Sequence, residues 1–280
     1  MTAARLRVLV LGGHGWLGGP VVEELRRTAV VEAPRSEDLD LRDAPAVLRS
    51  VRALRPDVVV NLAARMPPSA RPEMDAVNVA GARNAAAAAA ECGARLVHMS
   101  SDLVLDGRAA PYADDAPAAP LNDYGHSKAE GERAVLAAHP AALVLRTSLV
   151  VDPGVPDRFS RGCLERAARG EPFTLFEDEI RSAITRSTLA RAVAELAVSE
   201  TGGFLNVAGT EGISRHELGT LLLPRFGLRD LSLVRRGRAS DHTEPRPLDL
   251  RLDVRRARSI LRTPLRSIRE ELGGSAPNGR

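Results

Sequence analysis

The 280-residue chain reads as an α/β protein, a doubly wound parallel sheet with a smaller C-terminal lobe. Three observations predict this. Apolar runs recur through the first half, continuous rather than alternating, as in strands covered on both faces. Segments of helical character separate them, the rhythm of right-handed βαβ crossovers. Past about residue 150, prolines and glycines loosen that rhythm.

Each element follows from its own stretch. "RLRVLVLGG" is a first buried strand ending in glycines, followed by a helix at 16–27 and a short second strand at 29–33. "PDVVVNLAA", "ARLVHMSS" and "AALVLRTSLVV" supply three more strands, with helices expected at 44–54, 75–92 and 127–138. The alanine run at 85–90 belongs to one of them, because alanine is the best helix former and packs closely on a sheet. Pro153, Gly154 and Pro156 then break the chain, and helices near 158–169 and 187–200 flank "GEPFTLFEDEIRSAIT". Residues 1–150 are expected to form the sheet domain. Residues 151–272 are expected mainly to form a substrate-binding lobe over its carboxyl edge, with room to return elements to the sheet, and 273–280 a flexible tail.

Composition excludes several classes. The chain is 44% hydrophobic, ample for a core without a disulfide or metal staple. Cys92 and Cys163 lack metal-site or disulfide spacing, so no metal is expected and a reducing cytoplasm is the natural setting. The N-terminal stretch has no signal-peptide h-region, and no apolar run approaches the roughly 18 residues of a membrane span. A net charge of +3 with only 3% aromatics offers little to stack nucleic-acid bases, so nucleic acid is not an expected partner.

"GGHGWLGG" places Gly12, Gly15 and Gly18 directly after the first strand and before the first helix. Such a loop turns tightly, lets a pyrophosphate approach the backbone and aims the helix N-terminus at its charge. Gly12, Gly15, Trp16 and Leu17 are therefore cofactor-binding candidates, and the sheet is of Rossmann type. Near the end of the second strand, Arg35 suits the 2′-phosphate of NADP(H), while Glu32 keeps NAD(H) open.

In "DYGHSKAEGE", Tyr124 and Lys128 lie four residues apart at the start of a helix and so near one face. A ketone reduction needs a proton donor at the carbonyl oxygen, and free tyrosine, with a pKa of about 10, is a reluctant one. A nearby ammonium lowers that pKa and can also hold a nicotinamide ribose. Lys128 is the only lysine, and its fall four residues after one of only two tyrosines has a chance of about one in a hundred. Ser101, at the end of the strand in "HMSSDLVLDG", could hydrogen-bond the substrate carbonyl. His98 alternates with apolar neighbours and reads as structural. With Ser101 and Asp102 it makes no hydrolase triad, since no GxSxG elbow is present.

With these motifs in order the chain resembles the extended short-chain dehydrogenase/reductases, and within them the dTDP-4-dehydrorhamnose reductase group. The likeness runs from about Arg7 to Thr263 and rests on "LRPDVVVNLAA", "VNVAGARNAA", "LVHMSSDLVLDG", "PLNDYGHSKAEGE" and "LRTSLVV". It implies Ser101, Tyr124 and Lys128 as catalytic residues, with Lys128 also on the cofactor ribose. It implies further that Asp40 and Leu41 flank the adenine, that Ala63, Ala64 and Arg65 lie along the cofactor, and that Thr147 and Ser148 border the site. Leu103 and Leu105 stand where the group commonly has aromatics, which points to an altered sugar pocket. Asp102 is followed by Leu103 where related dehydratases carry glutamate, which argues against water elimination. Ser101 and Asp102 would meet the substrate, as would Arg181 or Arg186 at a diphosphate.

The leading expectation is NAD(P)H-dependent reduction of a 4-keto group on a nucleoside-diphosphate deoxysugar, with NADP(H) favoured over NAD(H). Two alternatives stay open: an epimerase or a reductase of another ketone, and a non-catalytic dinucleotide- or sugar-nucleotide-binding subunit. A homodimer is compatible with all three.

Overall fold

A computed structural model describes residues 5–273, so the tail beyond Gly273 lies outside the described residues. The first half forms β1 (Arg7–Leu11), α1 (Gly18–Arg26), β2 (Val30–Glu32), α2 (Ala44–Leu54) and β3 (Val58–Asn61). There follow α3 (Arg71–Asp75), a π-helical segment (Ala76–Gly81), α4 (Ala82–Glu91), β4 (Arg95–Met99), α5 (Asp123–Ala138) and β5 (Leu143–Arg146). The expected 75–92 helix thus begins earlier, at Arg71, and is widened in its middle by the π turn that carries Asn78.

The lobe contains β6 (Val150–Val151), α6 (Arg158–Ala168), β7 (Phe173–Phe176), β8 (Ile180–Arg181), β9 (Ile184–Thr185), α7 (Arg186–Ala197) and β10 (Gly203–Asn206). Then come β11 (Ile213–Ser214), α8 (Arg215–Leu222), β12 (Val234–Gly237), β13 (Asp249–Leu250), α9 (Arg255–Ile260) and α10 (Ile268–Glu271).

The main sheet has six strands in the order β10-β5-β4-β3-β1-β2, every neighbouring pair parallel. Its strands are apolar on both faces because both are covered. One face packs α1 and α7 over Val8, Val10, Leu143 and Leu145; the other packs α2, α4 and α5 over Leu9, Val59, Leu96 and Val144. Residue 150 is therefore not a boundary for the sheet. β10 adds its sixth strand beside β5, and α7 closes one face against α1.

The strand order reverses at β1, with no change of strand direction: β2 lies on one side of β1 and β3 on the other. Open α/β sheets bind ligands outside the strand ends at such a switch point. The rest of the lobe, built from short strand pairs and the small sheet β11-β8-β13, carries two apolar clusters of its own. Among the described residues, no helix is long and apolar enough to cross a membrane, and no group of three His, Cys, Asp or Glu side chains could hold a metal.

Candidate active site

The glycine loop lies at the switch point. Gly12 has φ of 78°, and a Cβ there would come within 2.7 Å of the backbone nitrogen of Ala63, so only glycine lets the loops after β1 and β3 touch. α1 begins at Leu17 without a side-chain cap, whereas Asp43, Asn122, Asp157, Thr185 and Ser214 cap α2, α5, α6, α7 and α8. An uncapped N-terminus behind a close-packed glycine loop fits the diphosphate of a dinucleotide, with Gly12, Gly15, Trp16 and Leu17 around it.

The adenine side is more open. Arg35 is exposed just past β2, and the side chain of His14 bonds the Ala33 carbonyl at 2.8 Å, tying the glycine loop to that strand end. Asp40 is drawn into an ion pair with Arg42 at 2.6 Å, and Leu41 is buried against the sheet's second face.

The loop after β3, carrying Ala63, Ala64 and Arg65, is held by two buried asparagines. Asn61 Oδ1 accepts from the Ala63 N–H at 3.1 Å. Asn78 Oδ1 accepts from the Arg65 N–H at 2.7 Å, while its Nδ2 donates to the Arg65 carbonyl at 2.8 Å and to Ser127 Oγ at 2.9 Å. Asn78 thus joins the loop after β3 to α5 between Tyr124 and Lys128. Sequence reasoning missed it, although an asparagine on the buried face of the alanine-rich helix was the available clue.

Past β4, Ser101 caps the turn Asp102–Val104: its Oγ accepts from the Leu103 N–H at 3.2 Å and donates to Asp102 Oδ1 at 3.3 Å. The Asp102 N–H donates to the Thr147 carbonyl at 2.7 Å, and Thr147 Oγ1 donates to the Val207 carbonyl at 2.8 Å, locking this edge to the end of β5. α5 starts directly on the turn. Asn122 accepts from the Gly125 N–H at 2.8 Å, and a Cβ at Gly125 would stand 2.1 Å from the Leu103 carbonyl oxygen. The neighbouring Tyr124 is thereby set against Asp102.

The electrostatics depart from the simple expectation that Lys128 lowers the Tyr124 pKa. Burial pushes the Tyr124 phenol up, and the Asp102 carboxylate pushes it further. Lys128 is 1% exposed, and burial brings its ammonium down to about 8 against the opposing pull of Glu132. Its Nζ donates to the Met99 carbonyl at 2.7 Å. Desolvation governs both groups, and it keeps the Tyr124 phenol protonated.

Asp102 itself is raised by burial and held back by Arg181 and then by Ser148, whose Oγ donates to Oδ2 at 2.6 Å. That places Ser148 behind Asp102. His98 is wholly buried, bonded to Asn61 at 3.2 Å, with Nε2 unpartnered; burial and then Lys128 hold it neutral. It is the structural histidine the alternation suggested.

Three substrate expectations are corrected. Arg181 is not open to a diphosphate: it is 3% exposed, 3.0 Å from Glu179 and 3.8 Å from Asp102, because β8 runs into the lobe's small sheet. Arg186 points elsewhere, to Asp152 at 2.8 Å and across the Trp16 ring of the glycine loop. Leu105 is fully buried in the main core and lines no sugar pocket, whereas Leu103 packs against that core only partly buried.

A second missed residue is Glu132, buried two turns below Tyr124. It accepts from Ser100 Oγ at 2.6 Å and from Arg146 at 2.9 and 2.8 Å.

The family described as RmlD substrate binding domain matches residues 6–277. The chain belongs to that family. The chain is 30% identical to methionine adenosyltransferase 2 subunit beta of Xenopus tropicalis over 95% of this chain and 87% of that one. It is 33% identical to dTDP-4-dehydrorhamnose reductase of Mycobacterium tuberculosis over 74% of this chain and 71% of that one. A solved dTDP-4-dehydrorhamnose reductase of Bacillus anthracis, in complex with NADP, superposes with a TM-score of 0.86 over 96% of this chain and 98% of that one. At 24% identity the superposition shows the RmlD-type fold.

Proposed function

We propose that the chain reduces a 4-keto group on a nucleoside-diphosphate deoxysugar with NAD(P)H. The observation that carries this is one edge holding Ser101 on its turn, a protonated Tyr124 against it and the buried Lys128 one turn on, beside an uncapped glycine loop. The bound cofactor would supply hydride. Tyr124 gives its proton to the carbonyl oxygen, Ser101 orients that oxygen, and Lys128 stands one turn away to charge-balance the phenolate left behind. The exposed Arg35 past β2 favours NADP(H), with its extra phosphate, over NAD(H). Thr147 and Ser148 line the inner wall behind Asp102, and Ala63 to Arg65 the cofactor side.

A panel of nucleotide-linked 4-keto sugars, followed at the nicotinamide absorbance, tests this. Tyr124→Phe should cost roughly 10²–10⁴-fold in turnover, the range of a general acid, and leave cofactor binding intact. Retained turnover would remove the assignment. The match to methionine adenosyltransferase 2 subunit beta over 95% of the chain supports a second reading, a binding subunit. Cofactor binding without consumption across the panel would select it.

A further inference from the structure

Arg186 is the first residue of α7, in the lobe, yet its guanidinium lies 4.3 Å above the ring of Trp16 inside the glycine loop. The pairing of β6 with β9 explains how it gets there. Val151 is in register with Thr185, so Asp152 and Arg186 leave the two strands side by side, and their side chains meet at 2.8 Å. A further N–H of Arg186 lies 3.4 Å from the Trp16 carbonyl oxygen. The guanidinium is thus fixed in plane by the indole and in direction by one carboxylate, and its side chain is still 22% exposed. Five N–H donors in a rigid fork leave several free for another anion. The backbone beneath is the loop and the uncapped start of α1, where a dinucleotide diphosphate fits.

We propose that Arg186 is a ligand of the cofactor's diphosphate, held over the loop by Trp16 and neutralised at rest by Asp152. The proposal rests on the cofactor reading above and moves Arg186 from the substrate to the dinucleotide. It makes a residue of the lobe part of the cofactor site, and it gives Asp152 the role of a resident anion that the diphosphate displaces or shares.

Trp16 is the only tryptophan in the chain, so its fluorescence reports on this loop alone. Titration of the full chain with NADH and with NADPH, read by Trp16 emission and by nicotinamide emission, tests the proposal without turnover. Arg186→Met should weaken both cofactors equally, tenfold or more, because both carry the diphosphate. Arg186→Lys should recover part of the loss, since a point charge remains but the stacked fork does not. Asp152→Asn should tighten both, whereas a purely structural clamp would loosen in that variant. Arg35→Ala, by contrast, should weaken NADPH alone. Unchanged affinity in both Arg186 variants, with melting curves confirming the fold, overturns the assignment, as does weaker binding in Asp152→Asn. If the unmodified chain binds neither cofactor, the reading of the site as a dinucleotide site falls first.

Discussion

Two buried carboxylates lie close to the end of β4, each facing an arginine, and they are built differently. Glu132 is complete: both oxygens are taken by Arg146, a hydroxyl from Ser100 fills one further lone pair, and both partners are 2% exposed. Arg146 is further held over the Phe204 ring at 4.4 Å and donates to the Ala116 carbonyl at 2.7 Å. Asp102 is incomplete. Its arginine stands 3.8 Å off and is shared with Glu179, and its short bond comes from Ser148. A fully paired buried charge is a strut joining α5, β5 and β10. A loosely paired one keeps a field to exert, and it exerts it on Tyr124.

The comparison can be broken at its rigid end first. Glu132→Ala strands Arg146 as an unpaired buried charge and should cost about 3–5 kcal/mol in urea unfolding. Asp102→Asn keeps the shape, leaves Arg181 its Glu179 partner and should cost only about 1 kcal/mol. In turnover the order should invert among folded variants: Asp102→Asn removes a carboxylate that pushes the Tyr124 phenol up, so proton transfer should become easier and the rate should rise. If the two variants rank the same way in both assays, the distinction between strut and field is wrong.

The smallest expected effect is in pH. The folded Lys128 titrates near 8, below the ordinary 10.5, so between those values the unfolded chain holds the extra proton. Its charged form costs stability below pH 8, and that cost is relieved as pH rises from 8 to 10.5. The proposed reduction should move the opposite way and decline as pH climbs through about 8, where the ammonium is lost. Glu132→Gln, which removes the carboxylate that raises Lys128, should bring that decline to slightly lower pH; a pH series on both proteins checks it.

Much of the first half was legible because its determinants are local. A run such as "RVLVL" is apolar at every position after Arg7 and so demands cover on both faces, and the glycines that follow permit the turn. The position of Tyr124 and Lys128 on one helix follows from spacing alone. The lobe was harder to read. Its strands are two residues long at β6, β8, β9, β11 and β13, too short to show a period, and β10 joins the main sheet from beyond the apparent boundary. The sense of the tyrosine's pKa was also unreadable, because spacing reports the nearby lysine but not the desolvation that outweighs it.

By itself the sequence determined the parallel sheet, the glycine loop and the residue types at the edge after β4, since each depends on neighbours within a few positions. Only the tertiary structure decided which arginine does what. In a chain so rich in arginine, composition cannot choose between Arg146 as a strut, Arg181 behind Asp102 and Arg186 over Trp16. Those roles follow from pairs brought together across 14, 79 and 170 residues (146−132, 181−102, 186−16), and burial makes each pairing strong or weak.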